Sequence, residues 1–174
     1  MGPLSYPAVK GIDMRILLGL VLALPALCAA QQRQDYFGDP FVQVTSALAG
    51  CPTPEPPSMT PEELRAAAHV RSQHGGSCYR AGRCRLPDSY QYDKEIIPRV
   101  QLYLRQDGRF GDTSVWALGE RRLVSLKGCV QSLEQALAME RAVLLVDDVM
   151  GVINQLMVGT SGKPPYEAAR QPKP

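Results

Sequence analysis

The chain is predicted to be an α+β protein built on a small αββαβ domain, two helices on one face of a three-stranded sheet, preceded by a loop-rich extension that carries disulfides. Three observations predict it. Between Asp93 and Val158 the apolar residues recur first at helical spacing, then alternate through two runs, then return to helical spacing and to alternation. Across the whole chain Pro and Gly are dense, 15 of each in 174 residues, with aromatics at only 6%, so a compact core through the whole length is not expected. Four cysteines, Cys51, Cys78, Cys84 and Cys129, follow a segment of export type. A chain of this length has room for one ordinary domain, or a small domain with an extension.

The export segment is Met14 to Ala30, MRILLGLVLALPALCAA: one Arg, an apolar run from Ile16 to Leu24, a Pro, then small residues. We read residues 1–30 as a signal peptide whose true start is Met14. Roughly 20 apolar residues are needed to span a bilayer, and Gln31, Gln32, Arg33 and Gln34 end this run too soon, so no transmembrane span is expected in the mature chain. A lipid anchor on Cys28 ranks second, because Leu27 is bulky for that signal. Cleavage removes Lys10, Asp13 and Arg15 and leaves 17 basic against 16 acidic residues, a net charge of +1. Such a chain carries no electrostatic footprint for nucleic acid.

In the oxidising compartment that export implies, the four mature cysteines become disulfide candidates with three pairings open. The short Cys78–Cys84 segment, which contains Gly82, folds back easily. Cys51 would then meet Cys129, unless Cys51 takes Cys78 or Cys84 instead. A zinc site from His69, His74, Cys78 and Cys84 is disfavoured, since the H-x4-H-x3-C-x5-C spacing matches no compact finger and oxidation competes for the thiols. Neither a metal nor another cofactor is expected.

Residues 31–92 form the extension. FVQVTSALAG is short strand or helix, and CPTPEPPSMTPEE, with four prolines in its first seven residues, lacks amide donors and reads as a linker or extended wrap. Thr60 is an N-cap, with Pro61 at the first helical position and Glu63 completing a capping box, for a helix from Pro61 to about Ser72. Its face of Leu64, Ala67, Ala68 and Arg71 could lie against another element.

From Asp93 the pattern sharpens. Ile96, Ile97, Val100, Tyr103 and Leu104 define a helix over Lys94 to Gln106, with Pro98 expected to kink it or mark its start. Ser114 to Leu118 and Arg122 to Cys129 alternate around a turn at Gly119, Glu120 and Arg121. Ser132 and Gln135 cap a helix over Leu133 to Val146, with Leu133, Ala136, Leu137, Glu140, Val143 and Leu144 on its expected apolar face. Val152 to Val158 alternate again. The tail, residues 160–174, is expected to be disordered.

The order helix, hairpin, helix, strand resembles the BON domain over residues 93–159. It does so through Asp93, Ile96, Val100 and Leu104, then Val124, Leu126, Gly128 and Val130, then Asp148, Val149, Val152, Asn154, Leu156 and Val158. The chain departs from the family at Asp148, where glycine is usual. The resemblance implies a bacterial periplasmic protein that contacts phospholipid or other envelope components, and it implies no catalysis.

Peripheral lipid binding needs apolar groups beside cations. Tyr103, Phe110 and Trp116 with Arg99, Arg105 and Arg109 are the candidates, although eight basic against nine acidic residues between Asp93 and Val158 give no strong field. Protein–protein contact in an envelope assembly is the alternative. No phosphate loop or nucleophile elbow occurs, and Asp147 with Asp148 reads as a solvated turn. N-terminal sequencing of the exported protein should begin near Gln31; retention of Met14, or lipid on Cys28, would refute this reading of the start.

Overall fold

A computed structural model of the chain describes Gly2 and residues 32–170; the export segment and the start at Gln31 lie outside the described residues. The chain is α+β. Its mixed sheet contains β1 (Phe41–Ser46), β2 (Ser114–Glu120), β3 (Leu123–Val130) and β4 (Gly151–Val158) in that spatial order. The helices are α1 (Pro61–His74), the single turn α2 (Ser77–Arg80), α3 (Asp93–Gln106) and α4 (Leu133–Leu144).

Residues 93–158 follow the expected order, but the sheet has four strands rather than three. β1, from the extension, pairs antiparallel with β2, Val42 opposite Ala117, and buries Val44 against α3. β2 and β3 form the antiparallel hairpin, and β4 returns through α4 to lie parallel to β3. Ala117, Leu126 and Asn154 are successive partners across the strands, so they share a face, as do Val124 and Val152. Both long helices cover that face. Ile96, Ile97, Val100 and Leu104 of α3 and Ala136, Met139, Ala142 and Val143 of α4 close the core. α3 runs through Pro98 and begins at Asp93, one residue earlier than expected.

Two local corrections have steric or electrostatic causes. The hairpin turns at Arg121 and Arg122, not at Gly119, which lies within β2. There α3 comes so close that a β-carbon on Gly119 would sit 2.7 Å from Ile97 Cγ1 and 3.0 Å from Asp93 Cβ. The second concerns α4, which buries Ala136, Met139, Ala142 and Val143 while Leu133, Leu137 and Leu144 stay exposed. Glu140 shares their face, and a carboxylate cannot be buried there cheaply. The helix instead keeps it at the rim, where Asn154 Nδ2 donates to Glu140 Oε2 at 2.9 Å.

The extension is ordered by specific ties. Thr60 and Glu63 form the capping box expected for α1. No residue of α1 is fully buried, but Leu64, Ala67 and Arg71 of the expected inward face are half-buried while Ala68 is exposed; Arg71 holds the helix by pairing with Asp39 and stacking between Phe37 and Tyr90, 3.9 Å from each ring centre. Cys51 is bonded to Cys129 and Cys78 to Cys84. The Pro-rich segment is an extended wrap, and the tail is not free as expected. Its Glu167 and Pro54-paired Ala168 run antiparallel to residues 53–55: the Glu55 amide donates to Glu167 O at 2.8 Å and the Ala169 amide to Thr53 O at 2.8 Å. Tyr166, buried, donates its hydroxyl to Pro52 O at 2.7 Å. Prolines lack donors but keep their carbonyls, and the tail supplies the amides.

Gly128 has φ of +133°, and a β-carbon there would fall on the Ser114 carbonyl of β2. Gly128→Ala is therefore expected to destabilise the fold at least as much as Leu126→Ala, which empties part of the core and should cost roughly 2–5 kcal/mol. Urea unfolding checks both, and a near-neutral Leu126→Ala would contradict the strand register.

Candidate interaction surface

The six residues expected to bind lipid do not form one patch. Phe110 is sealed in the core, and Trp116, at 9% exposure, is nearly so, which corrects the expectation that they offer surface aromatics. Their burial follows from position: Phe110 stands in the short turn between α3 and β2 and joins the core cluster, and Trp116 lies within the sheet opposite Lys127. Tyr103 is exposed on α3, beside the more exposed Leu102. The arginines are engaged. Arg105 donates to the Val44 and Gln43 carbonyls at 2.9 and 3.2 Å, and Arg109 grips Asp107, whose carboxyl is held below its usual range mainly by that bond.

Arg99 belongs to a cluster where the α4–β4 connection meets the disulfide loop. Its guanidinium lies 3.3 Å from Asp148 Oδ2. Arg85 pairs with Glu95 at 2.7 Å, and this hydrogen bond is the main cause of the lowered pKa of Glu95. Arg122 Nε donates to Asp148 O at 2.8 Å, its Nη1 reaches Cys84 Sγ at 3.0 Å, and its plane lies 4.7 Å from the Tyr92 ring centre. Asp148 has φ of +73°, so the residue standing where the BON pattern has glycine adopts the left-handed backbone that glycine favours. Three arginines and two carboxylates satisfy one another here. The cluster is a structural joint, not an open anion site. The sulfurs of Cys78 and Cys84 are in a disulfide, and so are not available as thiolate ligands or nucleophiles.

A groove runs between the Pro-rich wrap, the tail and the sheet face turned away from α3 and α4, lined by Ser58, Lys127, Gln155, Lys163 and Tyr166 among others. Its charges do not converge: Arg33 at its end is paired with Glu63 at 3.0 Å, and Glu55 and Glu167 lie among the lysines.

The feature that sequence reasoning missed is an apolar margin along α4 and β4. Leu133, Leu137, Leu144, Leu145, Met150 and Val158 are all exposed, Leu145 to 74% and Met150 to 64%, while Ile153, also exposed, lies on the opposite face of the sheet. From Val149 to Val158 there is no charged residue. Glu140, interrupting the leucine stripe, was the available signal that this helix face looks outward. No family model matches this chain, and no curated protein or solved structure is significantly similar to it. The reading of function therefore rests on its own residues.

One buried group underlies the geometry of this region. Asp93, fully buried at the start of α3, accepts from the Arg121 and Arg122 amides, both at 2.7 Å. Burial raises its pKa to about 6 from 3.8, against the lowering effect of those two amides; nearby Asp39 and Glu120 raise it further. The folded chain thus holds a proton between about pH 4 and 6 that the unfolded chain has released. This contribution makes the fold more stable as pH falls from 7 through 6, by up to about 1.4 kcal/mol per pH unit, until the unfolded carboxyl protonates as well. Asp93→Asn should abolish that component and also place a donor against an amide N–H, a loss of about 1–3 kcal/mol. Urea unfolding at pH 5 and pH 7 tests this; an identical pH difference in wild type and variant would refute it.

Proposed function

We propose that this chain is an exported, non-catalytic interaction module of the bacterial envelope whose working surface is the α4–β4 margin. The carrying observation is that α4 buries its alanines and Met139 while it presents Leu133, Leu137, Leu144 and Leu145 to solvent. Several exposed leucines gathered on one helix face mark a candidate site of contact. The two disulfides are compatible with an extracellular or periplasmic protein, and no helix among the described residues is long and apolar enough to cross a membrane. The resemblance of residues 93–159 to the BON domain supports placement in the periplasm.

Phospholipid binding is the second reading, favoured by exposed Leu102 and Tyr103 on α3. Arg99, Arg105 and Arg109 would serve it only by leaving their present partners. A photo-crosslinking residue placed at Leu137 in exporting cells should give adducts, and one at Glu62 on α1 should not. No adduct at Leu137, together with sedimentation on phosphatidylglycerol vesicles that Leu102→Asp abolishes, would move the working surface to α3.

A further inference from the structure

We infer that the α4–β4 margin binds a second copy of this chain, the two β4 strands pairing antiparallel into one eight-stranded sheet; this rests on the reading of that margin as the working surface. The sheet has two outer edges, and they are treated differently. At β1 the edge is guarded, because Gln101 and Arg105 of α3 reach over to the Gln43 and Val44 carbonyls. At β4 no backbone segment among the described residues pairs with the outer side. The Leu156 amide is met by the side chain of Asn154 in the same strand, Oδ1 at 3.1 Å, a single bond that a pairing strand would displace. An open edge of this kind is a template for a further strand.

Self-pairing sets like side chains opposite or near one another, which charge would forbid. β4 is Gly151–Val158, GVINQLMV, and carries none. α4 above it fits the same symmetry. Leu133, Leu137, Glu140 and Leu144 lie on one helix face, and Glu140 is the member that touches Asn154 of β4, so this stripe runs beside the strand. The intervals along it are four, three and four residues and read the same in both directions. An antiparallel copy therefore sets Leu133 against Leu144 of the other copy, twice, and Leu137 against the stem of Glu140. Two-fold pairing uses up the open edge, and the guarded β1 edges stop growth at a dimer.

Light scattering of the exported chain should give the mass of two copies. Leu133→Glu and Leu144→Lys replace exposed residues, so both variants should keep the wild-type far-ultraviolet circular dichroism spectrum, while the midpoint of unfolding falls with loss of the dimer. Each alone should weaken the dimer at least roughly tenfold, a change of about 1.4 kcal/mol. Their equimolar mixture should restore it, since only the mixed pair sets the introduced carboxylate against the introduced ammonium while keeping the other Leu133–Leu144 contact. A monomeric mass at all concentrations up to about 0.1 mM, far weaker than a stable interface allows, overturns the inference, as do variants that dimerise unchanged. The Leu137 crosslink separates the two readings: an adduct of twice the chain mass supports the dimer, an adduct only with another protein overturns the dimer but leaves the working surface, and no adduct removes both.

Discussion

Two arginines at the tip of the β2–β3 hairpin hold backbone angles that side chains other than glycine seldom adopt, with φ of 56° at Arg121 and 66° at Arg122. A two-residue turn between paired strands needs this left-handed geometry at both positions, and Asn-Gly or Gly-Gly normally supplies it. Here the Asp93 carboxylate supplies it instead, by accepting both amides from beneath. The bond fastens the first residue of α3 to the hairpin tip and so sets which residues of α3 face the sheet. Gly119 allows the close approach, and the Glu120–Leu123 pairing that follows fixes the register of all seven β2–β3 pairs. A slip of one residue would turn Val124 and Leu126 away from the core. Burying a carboxylate is expensive, and the raised pKa of Asp93 is the measure of that cost.

The same turn organises what lies beyond it. Arg122, displaced into the left-handed region, directs its guanidinium to Asp148 at the end of the α4–β4 connection and to the Cys78–Cys84 bridge. One hairpin tip thus gathers α3, the entry to β4 and the disulfide loop. At the opposite end of β3, Cys129 ties the sheet to Cys51, and Tyr166 joins the tail to the same wrap through Pro52. The extension is held at both ends of β3, which explains how a segment poor in core residues keeps a defined place.

Much of this was legible in residue order. Alternation gave β2, β3 and β4 to within about two residues, the Thr60–Glu63 box and the Ser132 cap placed two helix starts, though Gln135 reaches back to the Gln131 amide and not to that of Ser132, and the favoured pairing of the cysteines is the one observed. What failed shares a cause: each failure needed knowledge of what lies opposite. β1 is ambiguous until β2 offers it an edge. The tail reads as disordered because its partner, the proline wrap, is more than a hundred residues away. Phe110 looks like a surface aromatic until the core closes over it, and Trp116 until the sheet sets it on the face turned away from the helices, between Gln43 and Lys127. On α4 the expected face held the buried Ala136 and Val143 but took in the exposed leucines in place of Met139 and Ala142.

That choice on α4 carries the functional argument further than any charged group does. Leucines left in water forfeit about 25 cal/mol for every Å² that burial would have covered, and a helix packed only for the stability of its own domain would turn them inward. Burying Ala136 and Ala142 instead lets α4 sit close on β3 and β4, and Asn154 locks the orientation by donating to both the Ala136 carbonyl and Glu140. The exposed stripe is therefore held in place by a polar bond and not left over from loose packing. An apolar face fixed outward, beside an uncharged strand at the edge of the sheet, is what the proposed contact would bury.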